Sequence, residues 1–352
     1  MNKQNLLGLD QQQLIDVVAS LEEKPFRGKQ LYSQIYRRRQ TRLEQMTDLS
    51  AGFRTRLAEQ HRIELPSVAQ RWDACDGTVK YLFQLEDNKC VETVYIPEKK
   101  RETLCISSQV GCDVGCTFCL TAQMGLERNL TPGEIVGQVL AVLAAGCIQR
   151  GAFNIVFMGM GEPLYNYKNV MKAYRLLTDR DGMDLSQRRI TISTSGVVPV
   201  LQRMHSEPNL PNLAVSLNAT TDRLRDELMP LNQRWKIAEL LEACRRFPLE
   251  ARRRITFEYV LLGGVNDSDR EAEELARLLK GIRSKVNLIP YNSNPGLPYV
   301  RPDNARVEAF KAILVQAHLA AFVRRPRGDD ISAACGQLAY ISSEELQAGE
   351  VC

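Results

Sequence analysis

The chain has 352 residues, of which 44% are hydrophobic and 25% are charged, and its net charge is +4. These values are ordinary for a folded globular protein and exclude a disordered or collagen-like chain. The N-terminus has no uninterrupted apolar run, and the most apolar window, 135–148, is broken by Gly137, Gln138 and Gly146. The sequence therefore predicts neither a signal peptide nor a membrane span, and we expect a cytoplasmic protein.

Residues 1–75 are predicted to form a small, basic, helical accessory domain. Asp10 is a suitable N-cap for an amphipathic helix, and Pro25 is expected to end that helix. Between Lys24 and Glu64 there are ten Lys or Arg residues and four Asp or Glu residues, so this segment carries +6 and the rest of the chain −2. A local basic patch suits a polyanionic partner, and a solvated helical surface is the alternative interpretation.

Residues 76–98 are predicted to form a β-hairpin, and residues 99–335 a larger α/β core. In the hairpin, DGTVKYLFQL and KCVETVYIP favour strands, and EDN favours the turn between them. In the core, strand-like and helical runs alternate six times, which predicts a parallel sheet covered by helices, either doubly wound or a partial barrel. Ligands gather at the carboxyl ends of the strands in both architectures. Residues 336–352 are assigned to a C-terminal tail.

A cysteine cluster follows the first strand of this core. Residues 105–119 read CISSQVGCDVGCTFC and hold four of the ten cysteines. Cytoplasmic thiols are kept reduced, so the cluster points to metal binding or catalysis. Cys112, Cys116 and Cys119 have the spacing C-x3-C-x2-C. Structural zinc needs a fourth ligand, which Cys105 could supply in an unusual pattern, whereas three thiolates on a four-iron cluster leave one iron open to a bound molecule.

Several motifs carry a resemblance to a known family. The cysteine spacing, with Phe118 before the last cysteine, resembles the radical S-adenosylmethionine (radical SAM) signature. VETVYIP, TLCISSQVGC, FMGMGEPL, TISTSGVVP, NLIPYN and RGDDISAACGQL resemble the RNA-methylating branch that contains RlmN and Cfr, over a span from Pro25 to about Leu338. The resemblance implies a partial (β/α)6 radical SAM barrel, with an N-terminal helical domain and a β-hairpin linker. It also implies a [4Fe-4S] cluster and two S-adenosylmethionine molecules per turnover.

The resemblance assigns residues to both cofactors. Cys112, Cys116 and Cys119 match the ligands of the cluster. The positions that match contacts to S-adenosylmethionine are Gly161, Glu162, Ser193, Ser216, Leu217, Asn218 and Asn292. Asn218 stands where the family usually has histidine, and an asparagine amide keeps hydrogen-bonding capacity but does not titrate.

Three further residues match catalytic positions of the family. Carbon 2 of adenine is electron-poor, so direct methyl transfer from a sulfonium fails. The resemblance implies that Cys335 carries a methyl group from the first cofactor molecule, and that a radical derived from the second activates this group. Glu92 would then accept the proton that leaves the base, and Cys105 would release the product by forming a disulfide with Cys335.

The expected activity is methylation of carbon 2 of an adenosine in the peptidyl transferase centre of 23S rRNA, and of the adenosine 3′ of the anticodon in some tRNAs. Cfr-type methylation of carbon 8 is the alternative within the family. A non-enzymatic RNA-binding protein with a structural metal is the alternative of another class. The expected partners are these RNAs and an external reductant such as a flavodoxin system, with Arg324, Arg325 and Arg327 as phosphate contacts. We expect a monomer without membrane contact.

Overall fold

The N-terminal region is built from three helices and a short strand pair. The structure, a computed structural model, describes residues 3–148, 151–294 and 296–338. Strand β1 (Gln4–Asn5) pairs in parallel with β2 (His61–Arg62). The helices are α1 (Gln11–Ser20), α2 (Phe26–Tyr32), which a π-helical segment extends to Arg37, and α3 (Ala51–Gln60). Asp10 caps α1 as predicted, and its own backbone amide donates to the side chain of Gln13. The helix ends at Ser20, before Pro25.

Strands from both parts of the chain form one ten-stranded sheet. Its first four members, β3 (Ser67–Asp73), β4 (Val79–Gln84), β5 (Cys90–Glu98) and β6 (Arg101–Cys105), pair antiparallel in chain order. The predicted hairpin strands correspond to β4 and β5. Strand β3 lies within the range predicted to be helical, and the sequence prediction missed it. Its residues are nearly all exposed, so they show no apolar alternation that would mark a strand.

The remaining strands of this sheet run parallel to β6. A separate antiparallel pair, β7 (Gln109–Gly111) and β8 (Leu126–Asn129), comes first and flanks α4 (Leu120–Gln123). The barrel strands that follow are β9 (Asn154–Phe157), β10 (Ile190–Thr194), β11 (Asn212–Ser216), β12 (Ile255–Leu261), β13 (Ser284–Pro290) and β14 (Ala321–Val323). The crossover helices are α5 (Pro132–Ala144), α6 (Tyr167–Thr178), α7 (Val198–Met204), α8 (Asp222–Leu228), α9 (Ile237–Arg245), α10 (Asp269–Leu278) and α11 (Asn304–Gln316).

The order β14-β13-β12-β11-β10-β9-β6 is that of a partial barrel. The six predicted core strands correspond to β6 and β9–β13, which confirms the predicted fold class. Strand β14 is a seventh member with three residues, too short to give a periodic signal. Because all these strands are parallel, their carboxyl ends meet at one rim, where the loops converge.

The N-terminal helices and the barrel share one apolar core. Leu14, Tyr36, Phe83 and Phe257 belong to the same cluster of buried side chains. The Tyr32 hydroxyl donates to Asp179 Oδ2 at 2.9 Å and so joins α2 to the end of α6. In the part of the chain that the structure describes, no helix is both long and apolar enough to cross a bilayer. Of the predicted tail 336–352, residues 339–352 lie outside the described residues.

Candidate active site

The three cysteines of the motif line a cavity at the carboxyl rim of the barrel. Strands β7 and β8 hold the ends of their loop together, and the Cys112 amide donates to the Gly125 carbonyl at 2.8 Å. Cys112, Cys116 and Cys119 all contribute to the cavity wall. Burial raises the pKa of Cys112 to about 12 and raises the pKa of Cys116 and Cys119 as well. Thiolate binding to iron would therefore release protons.

These thiols suit a cluster better than a single ion. Among the described residues, no three His, Cys, Asp or Glu side chains are grouped as the ligands of one metal ion would be. A four-iron cluster presents separate irons to separate thiolates and so takes ligands spread around a cavity. The cysteine loop thus has the donor set and the arrangement that a cluster needs.

Gly161 and Glu162 lie on the loop that follows β9. Gly161 has φ +97°, and a Cβ added there would lie 2.5 Å from the Gln109 Cβ, so this position requires glycine. The Glu162 carboxylate accepts from the Leu164 amide at 2.9 Å and from the Ser195 amide at 2.7 Å. Burial raises the pKa of Glu162, and these backbone bonds oppose that rise. Glu162 also contributes to the cavity wall.

The ends of the next two strands bring further polar side chains to the same cavity. Ser193 is the penultimate residue of β10 and Ser216 is the last residue of β11, and both line the cavity with Asn218. Asn218 has φ +57°, and its Oδ1 accepts from the Val260 amide at 2.8 Å. Its Nδ2 contacts only the weak acceptor Met229 Sδ at 3.2 Å, so the amide nitrogen can still donate to a ligand. Leu217, between them, is fully buried in the core.

Glu258 lines this cavity too, and the sequence analysis did not single it out. Its Oε1 accepts from Asn287 Nδ2 at 2.9 Å, whereas its Oε2 has no hydrogen-bond partner among the described residues. The same is true of Oδ1 of Asn292, the last of the predicted cofactor residues. The available signal was a glutamate inside the apolar strand RITFEYV, because a charge in such a strand points into a functional cavity or to a partner.

Arg225 on α8 is a second residue that the sequence analysis missed. Its buried guanidinium donates to the carbonyls of Ser195, Ser216 and Leu217 at 2.6, 3.0 and 3.0 Å. Desolvation lowers the pKa of Arg225 to about 10. Arg225 thus hydrogen-bonds to carbonyls at the carboxyl ends of both β10 and β11. These bonds fix the strand ends that carry Ser193 and Ser216.

The polar atoms of this cavity match those of S-adenosylmethionine. Two buried acceptors without partners, on Glu258 and Asn292, require hydrogen-bond donors from a ligand. The cofactor has them in its ammonium, ribose hydroxyl and adenine amino groups. The described lining residues include two glutamates and no lysine or arginine, which suits the positive charge of the ammonium and sulfonium groups. The residues present therefore fit both the cluster and the cofactor.

A second cavity adjoins the first, and Cys335 lines both. Met158, Ile289 and Asn292 complete the shared wall. Cys105 lines the second cavity, and the charged residues in its described lining are Arg101, Arg324, Arg325, Arg327 and Glu98. Thus the structure brings the two cysteines predicted to react with each other to one cavity.

Charges around Cys105 affect its ionisation. Burial raises the pKa of Cys105 to about 12; Cys335 adds to the rise and Arg324 opposes it. Proximity to Cys335 raises the pKa of Arg324. Arg324 therefore favours the thiolate form of Cys105.

Glu92 lies on the same face of the sheet as Cys105. Val94 pairs with Cys105 across β5 and β6, and Glu92 is two residues from Val94, so all three point to one face. Glu92 is buried and forms an ion pair with Lys80 at 3.1 Å. Glu92 is not among the described residues that line either cavity, so the structure does not bring it to the cavity that Cys105 and Cys335 share.

The residues after Cys335 are attached to the cysteine loop. The Leu120 amide donates to the Gly336 carbonyl at 2.9 Å. Asn294 Nδ2 lies 3.2 Å from the Gly336 oxygen and 3.3 Å from that of Phe118. Cys335 is therefore held beside the predicted cluster ligands on its C-terminal side.

Comparisons with known proteins agree with this geometry. The sequence profile of the radical SAM superfamily matches residues 106–278, and that of the ribosomal RNA large subunit methyltransferase N-terminal domain matches residues 4–63. A protein of Anaeromyxobacter dehalogenans (strain 2CP-C), named dual-specificity RNA methyltransferase RlmN, is 53% identical over 95% of this chain and 91% of its own. A protein of the same name from Desulfotalea psychrophila (strain LSv54 / DSM 12343) is 49% identical over 96% and 95%.

A solved structure gives the same result. The crystal structure of a radical SAM methyltransferase from Sphaerobacter thermophilus has a TM-score of 0.90 and 46% identity, and the match covers 95% of this chain and 99% of that one. The chain therefore belongs to the RlmN family of radical SAM RNA methyltransferases, enzymes that use a [4Fe-4S] cluster and S-adenosylmethionine.

Proposed function

We propose that this enzyme methylates carbon 2 of an adenosine in the peptidyl transferase centre of 23S rRNA, and of the adenosine 3′ of the anticodon in some tRNAs. The dual specificity named for its relatives supports both RNA classes. The observation that carries the proposal is the position of Cys335, which lines both the cofactor cavity and the arginine-lined cavity that also contains Cys105. A group carried on the Cys335 sulfur can pass from one cavity to the other.

In this proposal, Cys112, Cys116 and Cys119 bind the cluster. Residues at the strand ends bind S-adenosylmethionine: Gly161, Glu162, Ser193, Ser216, Leu217, Asn218 and Asn292. Leu217 is fully buried, so its contribution would come from its backbone. When bound, the cluster and the cofactor supply a methyl group and, from a second cofactor molecule, a carbon-centred radical.

The second cavity receives the target base, which must leave its stack to reach the Cys335 sulfur. Arg324, Arg325 and Arg327 bind the adjacent phosphates, and the basic segment 24–64 binds RNA farther from the target. Four arginines and one carboxylate belong to the described lining of this cavity, as expected for a polyanionic substrate.

Three side chains carry out the steps on the base. Cys335 holds the methyl carbon that becomes bonded to carbon 2. Glu92 accepts the proton that carbon 2 loses, and the odd electron of the adduct would return to the bound cluster. The Cys105 thiolate then attacks the Cys335 sulfur, so that a sulfur–sulfur bond forms as the sulfur–carbon bond to the product breaks, and the released carbon takes up a proton to become the methyl group. Because disulfide formation oxidises both thiols, an external reductant such as a flavodoxin system must reduce them before the next turnover.

Product analysis tests this function. The chain, reconstituted anaerobically with iron, sulfide and S-adenosylmethionine, is given unmodified 23S rRNA and unmodified tRNA, and the digested nucleosides are identified by mass spectrometry. We expect 2-methyladenosine from both substrates. 8-Methyladenosine as the product would replace our assignment by Cfr-type chemistry. A colourless protein that holds zinc and forms neither product would contradict the enzymatic function itself.

A further inference from the structure

A buried lysine lies beneath the loop that carries Cys335, and the function described above gives it no role. Lys80 on β4 has a side chain that is 8% exposed, and its Nζ lies 3.1 Å from Oε1 of Glu92, which is 2% exposed. Lysine is almost never buried to this extent unless its charge is compensated. The pair therefore needs an explanation.

The same ammonium reaches the Cys335 loop. Lys80 Nζ donates to the carbonyl of Ser332 at 3.4 Å, and it lies 4.6 Å from the ring centroid of Trp72 on the neighbouring strand. Ser332 precedes Cys335 by three positions and has φ +49°. One cation thus joins the proposed proton acceptor to the segment that carries the proposed methyl carrier.

The loop has other attachments to the turn between β3 and β4, just before the strand that carries Lys80. The Cys75 amide donates to Asp330 Oδ2 at 2.9 Å, and the Gly328 amide donates to Asp76 Oδ2 at 3.3 Å. A Cβ at Gly328 would lie 2.9 Å from Cγ2 of Thr78, so the Gly328 backbone packs closely against the Thr78 side chain. These contacts hold residues 328 and 330, whereas the Lys80 contact lies closer to Cys335, at Ser332.

Stability also gives no reason for a buried ion pair here. Removing two charges from water costs several kcal/mol for each ion, and apolar side chains of similar volume often serve as well or better. A pair retained at a site of proposed proton transfer is better explained by what happens when one member changes its charge.

We propose that Lys80 is a positioning residue that holds Glu92 and the Cys335 loop in register, and that this hold weakens when Glu92 takes up a proton. The inference rests on the proposed function, in which Glu92 accepts the proton of carbon 2. In that step the carbon–hydrogen bond breaks, its electrons stay on the base, and the carboxylate becomes a neutral acid. Lys80 then loses its charged partner, and its hydrogen bond to Ser332 is the weaker contact that remains.

The loosened loop allows the Cys335 sulfur to approach Cys105. Attack by Cys105 before deprotonation would release an unfinished adduct. Coupling the loop to Glu92 therefore sets the order of the two steps, with proton transfer first and disulfide formation second.

The first test measures the loop without any cofactor. The rate at which iodoacetamide alkylates Cys335 in the cofactor-free chain is followed by peptide mass spectrometry. Lys80→Met and Glu92→Gln, which each remove one charge of the pair, are expected to raise this rate about 5- to 10-fold. Lys80→Arg keeps the charge, and its alkylation rate should stay within about threefold of the wild type. The control is Lys89→Met, which changes an exposed lysine in the turn between β4 and β5 and should stay within the same range.

The second test uses the reconstituted enzyme and RNA. Lys80→Met should still acquire a methyl group on Cys335, while methylated RNA forms about 10- to 100-fold more slowly, because Glu92 is no longer held in position. Lys80→Arg should recover most of the rate. Thermal unfolding of each variant identifies loss of folding; if Lys80→Met is unfolded, Glu92→Gln and Lys80→Arg still decide the question.

The outcomes separate the inference from the function on which it rests. Wild-type alkylation rates in both Lys80→Met and Glu92→Gln would overturn the role of Lys80, and so would equal behaviour of Lys80→Arg and Lys80→Met. A wild-type enzyme that never carries a methyl group on Cys335 would instead overturn the proposed function.

Discussion

The two cavities that meet at Cys335 differ in the charge that they can accept. The cofactor cavity is lined by three cluster cysteines, Glu162 and Glu258, and its described lining includes no lysine or arginine. The adjoining cavity is lined by four arginines and Glu98. A cofactor with ammonium and sulfonium groups suits the first cavity, and a phosphate backbone suits the second. Electrostatics can thus direct two substrates to opposite sides of one sulfur.

The cavities also differ in how the chain builds them. The cofactor cavity combines one local motif with the ends of consecutive parallel strands. The other combines β5 and β6 with residues 324–338, which are more than 200 positions away in sequence. A substitution in one cavity should therefore affect one substrate and leave binding of the other unchanged, and the predictions below test this separation.

The largest effect is expected for Cys112→Ala. Losing one of three ligands should abolish the cluster, so that iron content falls from about four per chain to near zero and methylation is no longer detected. Iron analysis and the visible absorption of anaerobic protein measure this. Cys147→Ala, outside both cavity linings, is the matched control. The affinity of Cys112→Ala for RNA should be unchanged. Full iron content in this variant would show that the motif does not hold the cluster.

In the second cavity, Cys105→Ala should stop the reaction after the base has been attacked. Without the resolving thiol, the enzyme should accumulate a covalent adduct between Cys335 and RNA, visible as a species that resists denaturation and carries the mass of both. Cluster content should equal that of the wild type. Release of free methylated RNA at the normal rate would contradict the role assigned to Cys105.

The sequence predicted the two cavities to different extents. Alternating strands and helices predicted the barrel, because buried parallel strands are apolar and regularly spaced. The predicted cluster ligands could be recognised as a set because they lie within eight residues, from Cys112 to Cys119. Strand β3 was missed because its residues are nearly all exposed, and β14 because it has only three residues.

Contacts between distant segments were beyond the reach of the sequence analysis. Arg225 is a charged residue in an exposed-looking helix, and only the fold shows that it bonds to the carbonyls beyond β10 and β11. The Lys80 contact to Ser332 joins positions 252 residues apart. Such pairings have no local pattern, because register and loop docking decide them.

Glu258→Gln tests the cofactor side of the comparison with a smaller effect. The substitution keeps the shape of the side chain and can keep the bond from Asn287, but it can put a donor where an unpartnered acceptor now faces the cavity. Loss of one hydrogen bond to a charged group should raise the KM for S-adenosylmethionine about 10-fold. The KM for RNA should not change. Initial rates give the KM for each substrate, and equilibrium dialysis measures cofactor binding directly. A parallel change in the KM for RNA would refute the separation between the two cavities.

Arg325→Ala tests the RNA side. Removing one exposed phosphate contact should weaken RNA binding a few fold and reduce the slope of log affinity against log salt by about 0.7. Arg223→Ala on α8, an exposed arginine paired with Glu227, is the control and should leave the slope unchanged. Binding titrations at several salt concentrations give both slopes. An equal change in the two variants would mean that the second cavity is not the RNA-binding side.

The smallest effect concerns the balance between burial and charge at Cys105. Burial raises its pKa from 9.0 to about 12, so the native chain retains a proton that the unfolded chain loses above pH 9. Stability from this group is complete below pH 9 and is lost as the pH rises towards 12, by about 1 kcal/mol between pH 9 and 10. Urea unfolding of the cofactor-free chain should therefore show a steeper decline for the wild type than for Cys105→Ala. If Arg324 outweighed burial at this sulfur, the difference between the two proteins would have the opposite sign, because a native thiolate gains stability as the pH rises.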